Sequence, residues 1–326
     1  MRYVIYGAGA VGGTIGARLH SAGHDVLLIA RGLNLEALQS RGLTFQTPDE
    51  TQQLSIPAVA SPAEAEIRAD DTVLLAMKTQ DTAQALLSLA AVADPATAVV
   101  CAQNGVENER LALRHFEHVY AICVWVPARH LEPGVVQAFA APAFGVLDLG
   151  RAPHGVDACA ERIAAALAES GFVSQARPDI MRWKYAKLLS NLGNAVQATF
   201  GAEAEGGDVH ERARVEAVAC YRAAAIDFAT DAETDERFAS MSPLRRVGGQ
   251  PFVGGSSWQS LARRSGSIES DYLNGEIVLL GHLHGIPTPV NEALRLLANR
   301  MTRDGAPPGS ADPAQFEQLV AELSAV

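Results

Sequence analysis

The sequence predicts an α/β protein in two parts, a doubly wound parallel sheet followed by an all-helical domain. Three observations predict it. Short apolar runs alternate with helical stretches from Arg2 to Ala102. Those runs are apolar at consecutive positions, as in a parallel sheet covered by helices on both faces. After Arg177-Pro178 the strand-like runs cease and helical patterns fill the chain.

Arg2–Tyr6 is an apolar run ending at glycine, and Val11–Ser21 reads as a helix with small residues on one face. Asp25–Ala30 is the second strand, Thr72–Met77 the third and Ala98–Ala102 the fourth, with a helix over Asp81–Val92. Strand–helix alternation of this kind builds a doubly wound sheet. Val119–Val126, Val135–Phe139 and Phe144–Leu149, divided by Pro and Gly, predict an antiparallel extension. Ala158–Ser170 reads as a helix and Val173–Ala176 as an edge strand. Beyond residue 178 the expected helices are Asp179–Thr199, Val209–Thr230, Ile268–His284, Asn291–Arg300 and Pro313–Ala325, with Val247–Ser257 as a loop. The expected domains are 1–178 and 179–326.

The 326 residues suit two domains, and a hydrophobic fraction of 48% supports large cores. The net charge of -11 argues against broad nucleic-acid or membrane-surface binding, which needs clustered Lys and Arg. The four cysteines form no Cys-x-x-Cys pair, so they read as isolated thiols of a reducing compartment. No signal peptide or long apolar span is evident, and a cytoplasmic protein is expected. His282-x-His284 has no third ligand in sequence and reads as a helix end, so no metal is expected.

Gly7-Ala8-Gly9-Ala10-Val11-Gly12 follows a strand and opens a helix. The first glycine permits the tight turn, the second a close backbone approach to a pyrophosphate, and the third close strand–helix packing. The helix N-terminus offers free amides and partial positive charge to phosphates. This is the fingerprint of a Rossmann-type dinucleotide site. NAD-selective sites place an Asp or Glu at the end of the second strand, to accept from the ribose 2′-hydroxyl. Here that strand ends in Arg31, and Asp25 lies at its other end. A guanidinium suits a 2′-phosphate, so NADPH is the expected cofactor. Lys78 and Asn104-Gly105 close two further strands, at the edge where ligands of open α/β sheets bind.

On one continuous helix, Trp183, Lys187, Asn191 and Asn194 would share a stripe, with Leu188, Leu189 and Leu192 on a separate apolar face. A lysine and two asparagines in line suggest a polar wall facing a cleft. Carbonyl reduction needs a donor to the oxygen that gains charge, and an ammonium can stabilise and protonate it. Ser257 suits a substrate carboxylate. Glu269 suits the nicotinamide ribose or the orientation of Lys187, and alone is better explained as a first-turn acid favoured by the helix dipole.

Together these pieces resemble the ketopantoate reductases (2-dehydropantoate 2-reductases). The resemblance runs through the Gly7–Gly12 loop, Arg31, Lys78, Asn104-Gly105, Lys187-x-x-x-Asn191, Ser257 and Glu269-x-Asp271-x-Leu273-Asn274-Gly275, in that order. It implies NADPH-dependent reduction of a 2-oxo acid, 2-dehydropantoate to pantoate in pantothenate biosynthesis. Lys187 would be the general acid. Asn104, Asn191, Asn194 and Ser257 would contact substrate. Gly7, Ala8, Gly9, Ala10, Val11, Gly12, Arg31, Lys78, Asn104, Ala128 (through its backbone) and Glu269 would contact NADP. The partner implied is a small-molecule 2-oxo acid, and a homodimer is compatible with the sequence.

Three departures leave the acid open. Asn194 follows Asn191 by three residues rather than the family's four, and Ala195-Val196-Gln197-Ala198 stands where Pro-Leu-Thr-Ala is common. Ser260-Leu261 stands where Gln-Asp is often found, and Ser270 where Ile is. A paralogue acting on another oxo or imino acid, or a non-catalytic NADPH sensor, are the alternatives.

Overall fold

The computed structural model describes residues 1–204, 208–264 and 266–325. The chain divides into two compact units, Met1–Lys184 with Thr230–Phe252, and Tyr185–Ala229 with Val253–Val326.

In the first unit the order is β1 (Arg2–Tyr6), α1 (Ala10–Ser21), β2 (Asp25–Ile29), α2 (Gly32–Arg41), β3 (Leu43–Gln46), β4 (Thr51–Leu54), β5 (Ala58–Val59) and α3 (Pro62–Ala65). Then come β6 (Thr72–Leu75), α4 (Thr79–Ala90), β7 (Ala98–Cys101), α5 (Asn108–Ala112) and β8 (Val119–Trp125). The series closes with β9 (Ala128–Arg129), β10 (Val135–Ala138), β11 (Val146–Arg151) and α6 (Ala158–Glu169).

The main sheet runs β11-β8-β7-β6-β1-β2-β5. All its neighbours are parallel except β11, which pairs antiparallel with β8. Its strands are buried on both faces because residues alternate between two cores. Tyr3, Ile5, Val26, Leu28, Leu74 and Val100 join Ile15 and Leu19 of α1 and Ile163 and Leu167 of α6. Val4, Leu27, Ile29, Val73, Leu75 and Val99 join Leu86 and Leu89 of α4 and Ala112 of α5. The chain order reverses between β1 and β6, which is where such folds open a crevice at the strands' carboxyl ends.

The antiparallel extension holds for β8 and β11. It does not hold for Val135–Phe139, which leaves that sheet. As β10, this segment pairs parallel with β3 and antiparallel with β9, in a second sheet ordered β4-β3-β10-β9. Its buried side chains, Val136 and Ala138, lie in the α1-side core, where Val136 fits against Gly13. Val173–Ala176 forms only isolated parallel bridges to β11.

The helix α7 (Ile180–Asn191) begins in the first unit and ends in the second. The single helix expected over Asp179–Thr199 is interrupted at Leu192, and α8 (Gly193–Phe200) follows. Leu192 keeps right-handed helical dihedrals, and its amide still bonds the Leu188 carbonyl.

The helix expected over Val209–Thr230 stops early. It is α9 (Asp208–Ala223), and Thr230 instead caps α10 (Asp231–Phe238), which returns to the first unit. Thr230 and Glu233 satisfy each other's backbone amides in a capping box. There Arg182 holds Glu233 at 2.8 Å, and Arg237 reaches Asp148.

The rest of the second unit is α11 (Ser256–Ala262), α12 (Asn274–His284), α13 (Pro289–Asp304) and α14 (Pro313–Ser324). The loop expected over Val247–Ser257 gives way to helix at Ser256, and Glu269–Tyr272 is a separate 3-10 turn before α12. Tyr221 packs on Tyr185, and Phe200 on Phe316. Glu216 of α9 accepts from the amides of Val290 and Asn291, capping α13. Among the described residues no helix is long and apolar enough to cross a membrane.

Candidate active site

The carboxyl ends of β7, β6, β1 and β2 stand side by side, because these strands are neighbours in the sheet. They carry Asn104, Lys78, the Gly7–Gly12 loop and Arg31 respectively. The sheet thus brings together four of the features singled out from sequence, while Ala128 lies in β9 of the second sheet. Backbone bonds set their levels: the Gly7 amide donates to the Ile29 carbonyl at 3.0 Å, and that of Ala76 to Tyr6 at 2.8 Å.

Each glycine of the loop answers to a different constraint. Gly7 has φ +108°, and a Cβ there would lie 2.6 Å from the Met77 nitrogen, so β1 and the end of β6 touch through this residue. A Cβ on Gly12 would strike the Gly7 carbonyl and come within 2.8 Å of the Ala76 Cβ. At Gly9 nothing lies within 4 Å of that position. Gly9 is therefore not required by packing, and its open side is where a pyrophosphate would approach. No side chain caps α1, which leaves first-turn amides for a ligand. The cradle fits a dinucleotide.

Sequence reasoning missed Asn34. Its Nδ2 donates to the Ala8 carbonyl at 3.0 Å, and its Oδ1 accepts from the Gly134 amide at 2.8 Å. Asn34 thereby ties the glycine loop to the turn before β10.

A buried polar network joins the ends of β6 and β7. Gln103 Nε2 donates to the Met77 carbonyl at 2.9 Å and to Thr82 Oγ1 at 2.7 Å. Thr82 Oγ1 donates to Asn108 Oδ1 at 2.8 Å, while Asn108 Nδ2 donates to Thr79 Oγ1 and to the Asn104 carbonyl. The backbone under Lys78 and Asn104 is thus held from within. Asn104 Oδ1 is buried and has no protein partner.

Lys184 is a second residue that sequence reasoning did not assign. Its Nζ donates to Glu109 Oε1 at 2.5 Å and to the Gln103 carbonyl at 3.0 Å, and both ion-pair side chains are 2% exposed. Burial pushes the Glu109 carboxyl up, and the Lys184 ammonium draws it part of the way back. Lys184 roots α7 beside Asn104, three residues before Lys187. Trp183 is also buried in the first unit, with Arg177 stacked 3.9 Å from its ring centroid.

In the second unit Lys187 is partly exposed and Asn191, one turn later, is buried. The Asn191 Oδ1 and the Ser257 Oγ are both buried without a protein partner. Asn194 sits in the first turn of α8, where its Nδ2 donates to Ser256 Oγ at 3.4 Å. Gln197 accepts from the Gly255 amide at 2.6 Å, so α8 carries the turn that presents Ser257. Glu269 is buried in the 3-10 turn. Its sequence neighbours serve the helical packing: Asp271 takes Arg295 and Asn299, and Asn274 donates to Asn291. Ala128 lies in β9, paired with Ala138.

Comparison with known proteins identifies the family. The model described as ketopantoate reductase PanE/ApbA matches residues 3–153, and that of ketopantoate reductase PanE/ApbA C terminal matches 179–301. The 2-dehydropantoate 2-reductase of Archaeoglobus fulgidus is 30% identical over 90% of this chain and 95% of its own length. A PanE/ApbA family ketopantoate reductase from Ralstonia eutropha superposes with a TM-score of 0.76 at 30% identity, over 93% of this chain and 99% of that one. A D-mandelate dehydrogenase, solved with NADH and anilino(oxo)acetate, shares the fold at TM-score 0.78 and 23% identity, over 94% and 99%. The chain therefore belongs to the ketopantoate reductase PanE/ApbA family and is a NAD(P)-dependent oxidoreductase of the 2-dehydropantoate 2-reductase type.

Proposed function

We propose that this protein reduces a 2-oxo acid to the 2-hydroxy acid with NADPH, that 2-dehydropantoate is its substrate, and that Lys187 is the general acid. Residues 1–178 would hold the cofactor, and 179–326 would carry the chemistry. The observation that carries the reading lies in the second unit. Asn191, one turn beyond Lys187, and Ser257 keep buried oxygens that no protein group satisfies. Buried polar atoms are nearly always paired, so these oxygens are spent on a polar ligand.

The Gly7–Gly12 loop with Arg31, Lys78, Asn104, Ala128 and Glu269 would hold the dinucleotide, whose reduced nicotinamide supplies a hydride. Asn104, Asn191, Asn194 and Ser257 would fix the oxygens of the acid without adding charge. Lys187 would stabilise the developing alkoxide and deliver its proton to that oxygen, leaving a neutral amine to be reprotonated from water.

The test is NADPH oxidation against a panel of 2-oxo acids that includes 2-dehydropantoate, with Lys187→Ala as control. We expect kcat to fall by about 100- to 10,000-fold while NADPH affinity persists. Unchanged turnover refutes the role of Lys187. Preference for another acid favours the paralogue reading, which Ala195-Val196-Gln197-Ala198 and Ser260-Leu261 keep open. Binding without turnover on any acid favours a sensor.

A further inference from the structure

The end of β2 carries more than Arg31. The Arg31 Nη2 donates to Asp81 Oδ2 at 2.7 Å. Asp81 lies 50 residues away in sequence, in the first turn of α4. It reaches Arg31 because β6, which leads into α4, and β2 flank β1 on either side. Both charges act on the hydroxyl of Tyr6, the last residue of β1. Lys78 is the cap residue of the same helix, so the strand ends here present two cations and one carboxylate.

We propose that Asp81 sets the cofactor choice of this protein: it supplies the acid that an NAD-type site places at the end of the second strand, and it limits the NADPH preference that Arg31 confers. This rests on the reading of Gly7–Gly12 as a dinucleotide cradle with Arg31 at the adenosine ribose. An acid there accepts from a ribose 2′-hydroxyl and repels a 2′-phosphate. Sequence order hides it, since β2 is itself followed by an arginine.

The geometry lets one pair serve both cofactors. The Arg31 side chain is 83% exposed and that of Asp81 37%, so the pair is a surface ion pair and opens at small cost. With NADH, the pair stays closed and Asp81 Oδ1 is available to the ribose. With NADPH, the remaining N–H donors of Arg31 turn to the phosphate, and the carboxylate stays one guanidinium away from a group carrying about two negative charges. At that range in a water-like dielectric the penalty is roughly tenfold in affinity. As a first-turn acid, Asp81 also suits the dipole of α4; that role alone predicts no effect on cofactor choice.

The test is direct binding of NADPH and NADH to the full chain, read by nicotinamide fluorescence without substrate, for the unmodified protein, Asp81→Asn and Arg31→Ala. Asp81→Asn keeps the side-chain volume. We expect it to raise the NADPH-to-NADH affinity ratio about tenfold, with NADH binding weakened or unchanged, while Arg31→Ala lowers the ratio. If both dinucleotides bind and the ratio in Asp81→Asn stays within about twofold of the unmodified protein, the role of Asp81 is overturned and the dinucleotide reading stands. If neither dinucleotide binds the unmodified protein, both fall.

Discussion

Replacing Lys184 with Met strands a carboxylate in the core of the first unit. In the native protein Glu109 has one oxygen on Lys184 at 2.5 Å, and its Oε2 has no partner. The side chain is 2% exposed, so water cannot take the place of the ammonium. Removing one member of such a pair costs about 3–5 kcal/mol, because the other charge stays buried and unpaired. The Gln103 carbonyl loses its donor as well, and with it one restraint on the strand end that carries Asn104. The assay is urea unfolding followed by circular dichroism.

The pH dependence distinguishes this cause from a general packing defect. Burial already holds Glu109 above its ordinary value, and the variant removes the ammonium that opposes the rise. Folded Lys184→Met then keeps a proton that the unfolded chain releases at its ordinary carboxylate value. The stability so retained is complete below that value and lost as pH rises through the higher folded one. Lys184→Met is therefore less damaged near about pH 5 than near about pH 8. Replacing both residues, Lys184→Met with Glu109→Leu, removes the stranded charge and recovers most of the loss. A double variant as unstable as the single one, or a loss under about 1 kcal/mol in the single variant, would refute the reasoning.

Two further predictions use local geometry. Gly9→Ala leaves stability unchanged, since nothing lies within 4 Å of the added methyl, yet it weakens NADPH binding by about tenfold or more. Gly12→Ala pushes its methyl against Gly7 and Ala76 and lowers stability by about 1–3 kcal/mol, read by thermal unfolding. Arg182 holds the Glu233 carboxyl down at about 2, from an ordinary value near 4.5. Its stabilising contribution is present above pH 4.5 and lost as pH falls through about 2, so Glu233→Gln is less stable than the native chain at neutral pH and equal to it at the acid end.

The glycine loop was legible because its causes are local. Strand β1, the turn at Gly7 and helix α1 lie within one short stretch, and each glycine has a steric reason that follows from its place in the motif. Two-sided apolar runs marked β2, β6 and β7 equally well. β4 carried no such mark, since Thr51–Leu54 reads TQQL and is held by pairing with β3. Helix α10 was overlooked although Thr230-x-x-Glu233 is a readable capping box, because its body is almost all polar and no apolar stripe announces it.

Arg31 shows where reading along the chain stops. By itself the sequence determined that a cation follows β2, that glycines open α1, and that Lys187 and Asn191 lie one turn apart on a helix. Only the tertiary structure decided that Asp81 sits against that cation and that Glu109 neutralises Lys184. The first set depends on neighbours along the backbone, whose spacing is dictated by strand and helix geometry. The second depends on which strands lie side by side, and that order is settled by burying two apolar faces of one sheet at once.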